Sequence, residues 1–346
     1  MSFKVVNVFG APSFSFKKAE EVLLREGGES VIVFTRDESK MAEVAADADG
    51  IIGVFTDGIQ TLSGKTIEKM GKLKIIAGIG IGYEGIDIEV ATARGICVSS
   101  VPDYCLEEMA NHTMMLLLAL SKKLSPTMEA VRAGKWDAPG AHTVRAKVLP
   151  PLFRLSGQTL GLIGFGNIPR TVVPRAKAFG LRLIGYDPYV PAEVMKQQGV
   201  EPVDMETVLR QSDYVSLHAA LTKENRHMMG LEQFKKMRRT AYFINTARGG
   251  LVDEGALYTA LKEGIIAGAG IDVMDPEPPR ADNPLLGLSN LIITPHVGQY
   301  SEESEAELLR KPYEEVVRVV KGGWPRDIAF RNPQVKEKFL ARWGKK

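Results

Sequence analysis

Three side chains suited to acid–base chemistry follow apolar, strand-like runs in the second half of the chain. Arg248 comes shortly after one such run, Glu277 lies between two prolines after another, and His296 follows a Thr-Pro pair after a third. Because open α/β sheets place ligands at the carboxyl ends of their strands, these segments could converge on one cleft. Each residue alone is more typical of a surface arginine, a loop acid or a strand cap, but their joint occurrence favours a site.

The three residue types suit the reduction of a 2-oxo acid. A guanidinium can pair with the substrate carboxylate and polarise the adjacent carbonyl. Histidine titrates in the range where it can protonate the oxygen as a hydride arrives at carbon. A neighbouring carboxylate would hold the imidazole in one tautomer and favour its protonated form. We therefore expect Arg248 to bind substrate, and His296 to act as acid and base with Glu277 as its partner.

A glycine turn near the middle of the chain predicts a dinucleotide site. The segment from Thr159 to Pro169 reads as an apolar strand, a Gly164-Phe-Gly166 turn and a helix start. Gly164 would permit the tight turn, and Gly166 would let backbone amides approach a pyrophosphate. Asp187 ends the next predicted strand, where a carboxylate accepts ribose hydroxyls and repels a 2′-phosphate, which favours NAD over NADP. Pro169 replaces the third glycine of the fingerprint, and we expect weakened but retained binding.

Short apolar runs alternate with amphipathic segments almost throughout, which predicts two doubly wound α/β domains with parallel sheets. The first series of predicted strands is Val5–Phe9, Val31–Phe34, Ile51–Phe55, Leu73–Gly78 and Ile96–Ser99. The second is Leu160–Ile163, Leu181–Tyr186, Tyr214–Leu217, Ala241–Ile244, Ala267–Val273 and Leu291–Thr294. Predicted helices include Lys17–Arg25, Ile86–Ala93 and Glu302–Val320.

The glycine turn opens the second series, so the cofactor domain is predicted to be inserted into the other domain. We expect a Rossmann-like NAD-binding domain over residues 106–300. Residues 1–105 and 301–346 would form one discontinuous, flavodoxin-like substrate domain, because the last segment has too few strands to stand alone.

Composition narrows the function classes. The chain has 346 residues with 44 Lys and Arg against 42 Asp and Glu, which argues against nucleic acid as a partner. Two cysteines, Cys97 and Cys105, cannot form a disulfide framework and favour a reducing compartment. We expect a cytoplasmic protein with no membrane segment, no metal site and no acyl-transfer nucleophile.

With these residues in view, the chain resembles the D-isomer-specific 2-hydroxyacid dehydrogenases, from about Leu73 to about Arg326. The similarity includes Gly80-Ile-Gly-Tyr-Glu-Gly-Ile-Asp87, the Val101–Thr113 segment, Gly161–Arg170, Asn245–Gly250 and Pro295–Gly298. The resemblance implies a homodimer formed through the cofactor domain and supports the roles given above to Arg248, Glu277 and His296.

The resemblance also implies contacts for substrate and cofactor. The amides of Ile81 and Gly82 would bind the substrate carboxylate, and Gln299 would lie near the substrate. Cofactor contacts would come from Gly164, Gly166, Asn167, Ile168, Asp187, Thr246, Ala247, Asp272 and Gly298. Of these, Asn167 and Ile168 would lie at the pyrophosphate, and Asp272 with the Thr246 carbonyl region would hold the nicotinamide carboxamide.

Within the family, Pro102-Asp-Tyr-Cys and Tyr300-Ser-Glu-Glu303 are most similar to the branch of the C-terminal-binding-protein corepressors and to phosphoglycerate-dehydrogenase-like enzymes. Gln299, where that branch often has tryptophan, and Ala220, in place of a usual proline, leave the substrate open. Two alternatives remain: an NADH-sensing regulatory or scaffold protein, or a reductase of another electrophile such as an imino acid or phosphite.

The remaining histidines are expected to be structural. His112 would be a satisfied interior or interface histidine, and His218 would close a strand beside the cofactor. His142 and His227 are predicted to face solvent. Residues 121–155 could form a dimer arm or a long surface connection.

Overall fold

Two fully parallel β-sheets organise the chain, which a computed structural model describes over residues 2–10, 17–56, 60–137 and 143–344. The strands are β1 (Phe3–Phe9), β2 (Gly28–Phe34), β3 (Gly50–Gly53), β4 (Ile75–Gly78), β5 (Cys97–Ser99), β6 (Thr159–Ile163), β7 (Arg182–Tyr186), β8 (Glu201–Pro202), β9 (Tyr214–Leu217), β10 (Tyr242–Asn245), β11 (Gly268–Ile271) and β12 (Leu291–Ile293). The chain divides into one unit of Met1–Cys105 with Ser301–Lys346, called the discontinuous unit below, and a second of Leu106–Tyr300, called the central unit.

Helices connect these strands and cover the sheets. They are α1 (Lys17–Arg25), α2 (Glu38–Val44), α3 (Gly64–Lys69), α4 (Ile88–Ala93), α5 (Leu106–Ser121), α6 (Leu124–Arg132), α7 (Thr143–Lys147), α8 (Asn167–Ala178), α9 (Ala192–Gln197), α10 (Met205–Gln211), α11 (Leu231–Lys236), α12 (Glu254–Lys262), α13 (Glu302–Val320) and α14 (Lys336–Trp343). Short 3-10 turns lie at Gly249–Leu251, Pro284–Gly287 and Pro333–Val335.

The five-stranded sheet of the discontinuous unit has the order β2-β1-β3-β4-β5, the flavodoxin-like arrangement. Neighbouring residues of its strands point to opposite faces. Val5 and Ile75 belong to a core cluster with Tyr313 of α13, whereas Val6 and Ile76 belong to a second cluster. Burial on both faces explains why these strands read as continuous apolar runs.

The seven-stranded sheet of the central unit has the order β12-β11-β10-β9-β6-β7-β8. Numbered from the first strand of this unit, the order reads 3-2-1-4-5-6-7 from the β8 edge, which is the dinucleotide-binding arrangement. The strand order reverses between β6 and β9, and this is the point where such sheets bind their ligands. The two-domain α/β fold predicted from the sequence is confirmed by these sheets.

Most predicted elements differ from the observed ones by one or two residues. The bounds of α1, β9 and α13 agree with prediction, whereas α4 begins at Ile88 because Asp87 caps it by accepting a hydrogen bond from the Val90 amide at 3.0 Å. The two-residue strand β8 was not predicted. Within the described ranges, each helix is too short or too polar to span a lipid bilayer.

Candidate functional site

The glycine turn after β6 lies where the strand order of the central unit reverses. Gly164 adopts φ +92°, and a Cβ added there would lie 2.8 Å from the carbonyl carbon and oxygen of His218, which follows β9. Its amide donates to the Tyr186 carbonyl at 2.8 Å. A side chain is therefore excluded both by backbone conformation and by the close approach of the neighbouring strand end.

The N-terminus of α8 is open in the way that an anion site requires. Gly166 caps the helix in an extended conformation without a side-chain cap, and a Cβ added there would meet nothing within 4 Å. Asn167 is exposed and Ile168 is half-buried. The amides of a first helical turn have no acceptor within their helix, so this end fits a pyrophosphate.

Pro169 is buried in the first turn of α8, and the helix continues from it to Ala178. Proline costs least in this turn, because the amide that it lacks would have no intrahelical partner. The substitution therefore removes one donor from the turn without breaking the helix.

Asp187 ties the glycine turn to the end of β7. Its Oδ2 accepts from the Phe165 amide and its Oδ1 from the Tyr189 amide, both at 2.8 Å. The residue is half-buried. Each carboxylate oxygen keeps a further lone pair, so the group that fixes the turn is still able to accept ribose hydroxyls.

The loop that carries Arg248 is shaped by the side chain of Asn245, the last residue of β10. Asn245 is buried; its Oδ1 accepts from the Ala247 amide and its Nδ2 donates to the Arg248 carbonyl, both at 3.0 Å. Gly249, which follows Arg248, approaches the Met274 carbonyl so closely that an added Cβ would lie 2.0 Å from the oxygen. The Arg248 loop thus lies directly against the loop that follows β11.

Asp272, the first residue after β11, organises the turn that carries His296. Its carbonyl accepts from the His296 amide at 2.8 Å, and its carboxylate accepts from the amides of Val297 and Gly298 at 3.1 and 2.9 Å. Thr294 donates to the same carboxylate at 2.5 Å. His296 is held at φ +54°, a left-handed conformation that is uncommon outside glycine. Asp272 is therefore the main support of this turn.

The carboxylate of Asp272 is 1% exposed and has one further partner, His112 of α5. His112 Nε2 lies 2.8 Å from Thr294 Oγ1 and 3.3 Å from Asp272 Oδ1. Burial by itself raises the pKa of Asp272, but the hydrogen bonds from His112, Thr294 and the two amides outweigh it and lower the pKa below its ordinary value. The group is ionised at neutral pH.

His296 and Glu277 form a hydrogen-bonded pair. His296 Nδ1 lies 2.6 Å from Glu277 Oε2, and Glu277 Oε1 accepts from the Met274 amide at 2.9 Å. Partial burial raises the pKa of Glu277, whereas these hydrogen bonds and the charges of His296 and Arg248 lower it to a net value below the ordinary one. An ionised carboxylate only accepts hydrogen bonds, so His296 Nδ1 carries a proton and Nε2 remains for chemistry.

The structure therefore brings the three predicted chemical groups to one edge of one sheet. Arg248, Glu277 and His296 follow the adjacent strands β10, β11 and β12, and Thr246, Ala247, Asp272 and Gly298 lie in the same loops. Thr246 is buried, and its hydroxyl lies 3.1 Å from that of Thr113. Gln299 is half-buried directly after this cluster.

Other predicted residues lie elsewhere. Ile81 and Gly82 follow β4 in the discontinuous unit, and His142 lies outside the described residues. His227 is exposed. Burial lowers the pKa of His218 to about 4, and its Nε2 lies 2.9 Å from Ser216 Oγ.

Sequence reasoning did not find the positioning roles of Asn245, Thr294 and Gly249. Only Asn245 had a short-range signal, since an asparagine three residues before an arginine can hold the intervening turn, whereas Thr294 and Gly249 act on residues more than 20 positions away.

Known proteins resemble this chain over most of its length. The profile described as D-isomer specific 2-hydroxyacid dehydrogenase, NAD binding domain, matches residues 114–298. A D-3-phosphoglycerate dehydrogenase of Methanocaldococcus jannaschii is 40% identical over 87% of this chain and 55% of its own length. A glyoxylate reductase of Korarchaeum cryptofilum is 38% identical over 83% of this chain and 84% of its own.

The chain thus spans about half the length of that phosphoglycerate dehydrogenase but most of the glyoxylate reductase. Among solved structures, the PH0520 protein of Pyrococcus horikoshii OT3 superposes with a TM-score of 0.82 at 27% identity, covering 97% of both chains. The family profile covers more than half of the 346 residues, and the relatives agree with it. The chain belongs to the D-isomer-specific 2-hydroxyacid dehydrogenase family.

Proposed function

We propose that this protein transfers a hydride between a nicotinamide cofactor and a small 2-oxo or 2-hydroxy acid. The observation that carries the proposal is the 2.6 Å pair of His296 and Glu277, with Arg248 close enough to lower the pKa of that carboxyl. A protein that only sensed NADH would have no need for an imidazole whose second nitrogen is kept for proton transfer. The pair therefore favours an enzyme over a scaffold.

Each protein group has a defined task in the reduction. Arg248 pairs with the substrate carboxylate and polarises the carbonyl. His296 gives the Nε2 proton to the carbonyl oxygen, while the bound cofactor supplies the hydride to carbon, and a 2-hydroxy acid results. Glu277 keeps Nδ1 protonated and stabilises the imidazolium before transfer. From the family resemblance, we propose that the amides of Ile81 and Gly82 also bind a substrate carboxylate.

The cofactor is proposed to be NAD. The open N-terminus of α8, with Gly166, Asn167 and Ile168, fits the pyrophosphate, and Asp187 fits the adenine-ribose hydroxyls. A 2′-phosphate would be repelled by the Asp187 carboxylate. The ratio of kcat/KM for NADH and NADPH tests this, and equal values would contradict the role of Asp187.

NADH oxidation with a panel of 2-oxo acids tests the activity. The variant His296→Asn removes the acid, and asparagine accepts the left-handed backbone that His296 adopts. We expect kcat to fall by about 10²- to 10⁴-fold. The matched control is His227→Asn, because His227 is exposed and also has a left-handed conformation, at φ +57°. Unchanged turnover in His296→Asn would remove the assignment.

A second pair of variants tests the arginine. Arg248→Gln should raise KM for 2-oxo acids and lower kcat, whereas Arg248→Lys keeps the charge without the planar fork and should retain part of the activity. Cofactor-dependent binding of a protein partner, with no turnover of any 2-oxo acid, would favour the sensor alternative instead.

A homodimer is proposed through an apolar face of the central unit. Met115 of α5, Leu124 of α6 and Phe179 after α8 are 44%, 49% and 45% exposed, and they line a groove of about 590 Å³. A second copy of this chain would cover that face. Light scattering of the purified protein should give twice the monomer mass, and Met115→Lys should lower it.

A cytoplasmic location belongs to the same proposal. It is supported by the cysteine content, because the two cysteines of the chain, Cys97 and Cys105, are too few for a disulfide framework.

A further inference from the structure

One guanidinium of the discontinuous unit is fixed in place without a carboxylate partner. Arg331 Nε donates to Ser100 Oγ at 2.6 Å, and its guanidinium lies 5.7 Å from the centroid of the Tyr83 ring. Nη2 is buried and has no hydrogen-bond acceptor. Among the described residues, no carboxylate oxygen lies within 4.0 Å of an Arg331 nitrogen, the distance limit for an ion pair.

Unlike Arg331, the neighbouring cations have carboxylate partners, although Arg326 Nη2 is also buried without an acceptor. Arg326 pairs with Asp103 at 3.0 Å and with Glu315 at 2.5 Å, and Lys311 lies 3.3 Å from the same Asp103 oxygen. Asp103 is the acid whose charge acts on Arg331 from further away; its Oδ2 is shared by two cations, and its Oδ1 is buried without a hydrogen-bond partner. Loss of water around Arg331 lowers its pKa, since burial disfavours the charged form.

The position of this guanidinium is that of a ligand-binding group. Ser100 follows β5, and Tyr83 follows the Ile81–Gly82 loop after β4, so Arg331 lies at the carboxyl ends of parallel strands. Arg331 as a whole is half-buried, so a ligand can still reach part of its side chain, and a negative charge supplied there would offset the cost of holding a cation without an ion-pair partner. Tyr83, whose ring the guanidinium faces, directly follows the Ile81–Gly82 loop proposed to bind the substrate carboxylate.

We infer that Arg331 is a specificity-determining residue that pairs with a second anionic group on the substrate. The preferred substrates are then 2-oxo acids whose tail carries a carboxylate or a phosphate, both of which match the planar fork of a guanidinium. The inference rests on the proposed function, because it takes the 2-oxo acid carboxylate at Ile81–Gly82 as its reference point.

Kinetics with matched substrates test the inference. The pair 2-oxoglutarate and 2-oxovalerate differs in the charge of the tail, and 3-phosphohydroxypyruvate and hydroxypyruvate form the phosphate pair. In Arg331→Gln, kcat/KM for the anionic member of the preferred pair should fall by about 10- to 100-fold through KM. Values for the neutral members should stay within about twofold, since they do not use the charge. The pair that responds identifies the anion.

Two further variants separate specificity from a structural role. Arg331→Lys should restore part of the preference for the anionic tail, because the charge remains. Arg342→Gln is the matched control: Arg342 is also an arginine of this unit, with a pKa lowered mainly by burial, but it donates to the carbonyls of Arg94 and Gly71. Loss of the Arg342 guanidinium should leave unchanged the ratio of kcat/KM for the anionic substrate to kcat/KM for the neutral one.

Ligand-induced thermal shifts keep the test independent of turnover. 2-Oxoglutarate or 3-phosphohydroxypyruvate should raise the Tm of the wild type more than its neutral counterpart, and Arg331→Gln should abolish the difference. If 2-oxo acids are turned over and Arg331→Gln lowers kcat/KM equally for the anionic and the neutral substrates, the inference is wrong. Arg331 then only supports a hydrated polar cluster with Asp103. If no 2-oxo acid is turned over, the proposed function fails, and the thermal shifts alone decide the anion site.

Discussion

The turn that carries His296 should depend on the charge of Asp272, and Asp272→Asn tests this with little change in volume. One amide oxygen can still accept from Thr294 and Val297. The new NH2 group then faces the Gly298 amide, which now donates to Oδ2 at 2.9 Å. One charge-assisted hydrogen bond is lost and two buried donors oppose each other, so we expect a loss of about 2–4 kcal/mol in the stability of the central unit.

We also expect Asp272→Asn to lose catalytic activity, for a reason separate from its loss of stability. His296 occupies a left-handed conformation at φ +54°, and such strain persists only where surrounding bonds hold it. Without the carboxylate the imidazole moves away from its position beside Glu277. A displacement of about 1 Å at a reacting group costs on the order of 100-fold in rate. We therefore expect kcat for the 2-oxo acid to fall by about that factor.

Denaturant titrations between pH 3 and 8, with kcat at neutral pH, provide the assay. The pKa of Asp272 is lower in the folded than in the unfolded chain, so its stabilisation is complete above the unfolded value of about 3.9 and is lost as pH falls through the folded value. The difference in free energy of unfolding between wild type and Asp272→Asn should therefore become smaller below about pH 4.

A matched control is available at the amino ends of the strands of the same sheet, opposite the carboxyl ends that carry the candidate site. Asp213 also accepts a backbone amide, that of Thr159, and a side chain, that of Arg238, both at 2.8 Å. Asp213→Asn should lower stability but leave kcat unchanged. The reasoning is refuted if Asp272→Asn changes stability by less than about 0.5 kcal/mol, the range of neutral surface substitutions, and kcat stays at the wild-type value.

Three further outcomes are expected. Gly166→Ala should leave the melting temperature unchanged, because its Cβ would meet nothing within 4 Å, but should weaken NADH binding about 10-fold by obstructing the pyrophosphate; fluorescence titration measures this, with Gly287→Ala, equally unobstructed, as the control. Asn245→Ala should raise KM for the 2-oxo acid about 10-fold or more, since the Arg248 loop loses two hydrogen bonds, and an unchanged KM in steady-state assays would argue against that support. His218→Gln should reduce the loss of stability on acidification, because the unfolded histidine binds a proton near pH 6.5 and the folded one only near 4, so the free energy of unfolding falls as pH falls between these values. Identical acid unfolding curves for variant and wild type would contradict a neutral His218 in the folded protein.

The fold was predictable because its elements carry strong local signals. β9 and α13 have the predicted bounds, since an apolar run and a long amphipathic segment each lie between polar boundaries. β8 escaped prediction because Glu201 and Pro202 form a two-residue edge strand without any apolar run. Pro169 is buried in the first turn of an intact helix, and its expected effect on cofactor binding stays a prediction.

The candidate site was predictable in its residue types but not in its supports. Arg248, Glu277 and His296 could be chosen from chemistry and from their positions after strand-like runs. The approach of Gly249 to the Met274 carbonyl is a contact between loops that only tertiary packing creates. The orphaned Nη2 of Arg331 likewise depends on packing against Ser100 and Tyr83, far away in the chain.

The discontinuous unit also affects the order in which parts of the chain can fold during synthesis. One face of its sheet, which includes Phe3, Val5 and Ile75, is covered by Tyr313 and Val316 of α13 and by Phe339 of α14. During translation this face leaves the ribosome uncovered and stays so while the whole central unit is made. Since domains fold as units as they emerge, the central unit can finish first although it starts later. The strands of this face are thus the last of the chain to have their apolar side chains covered.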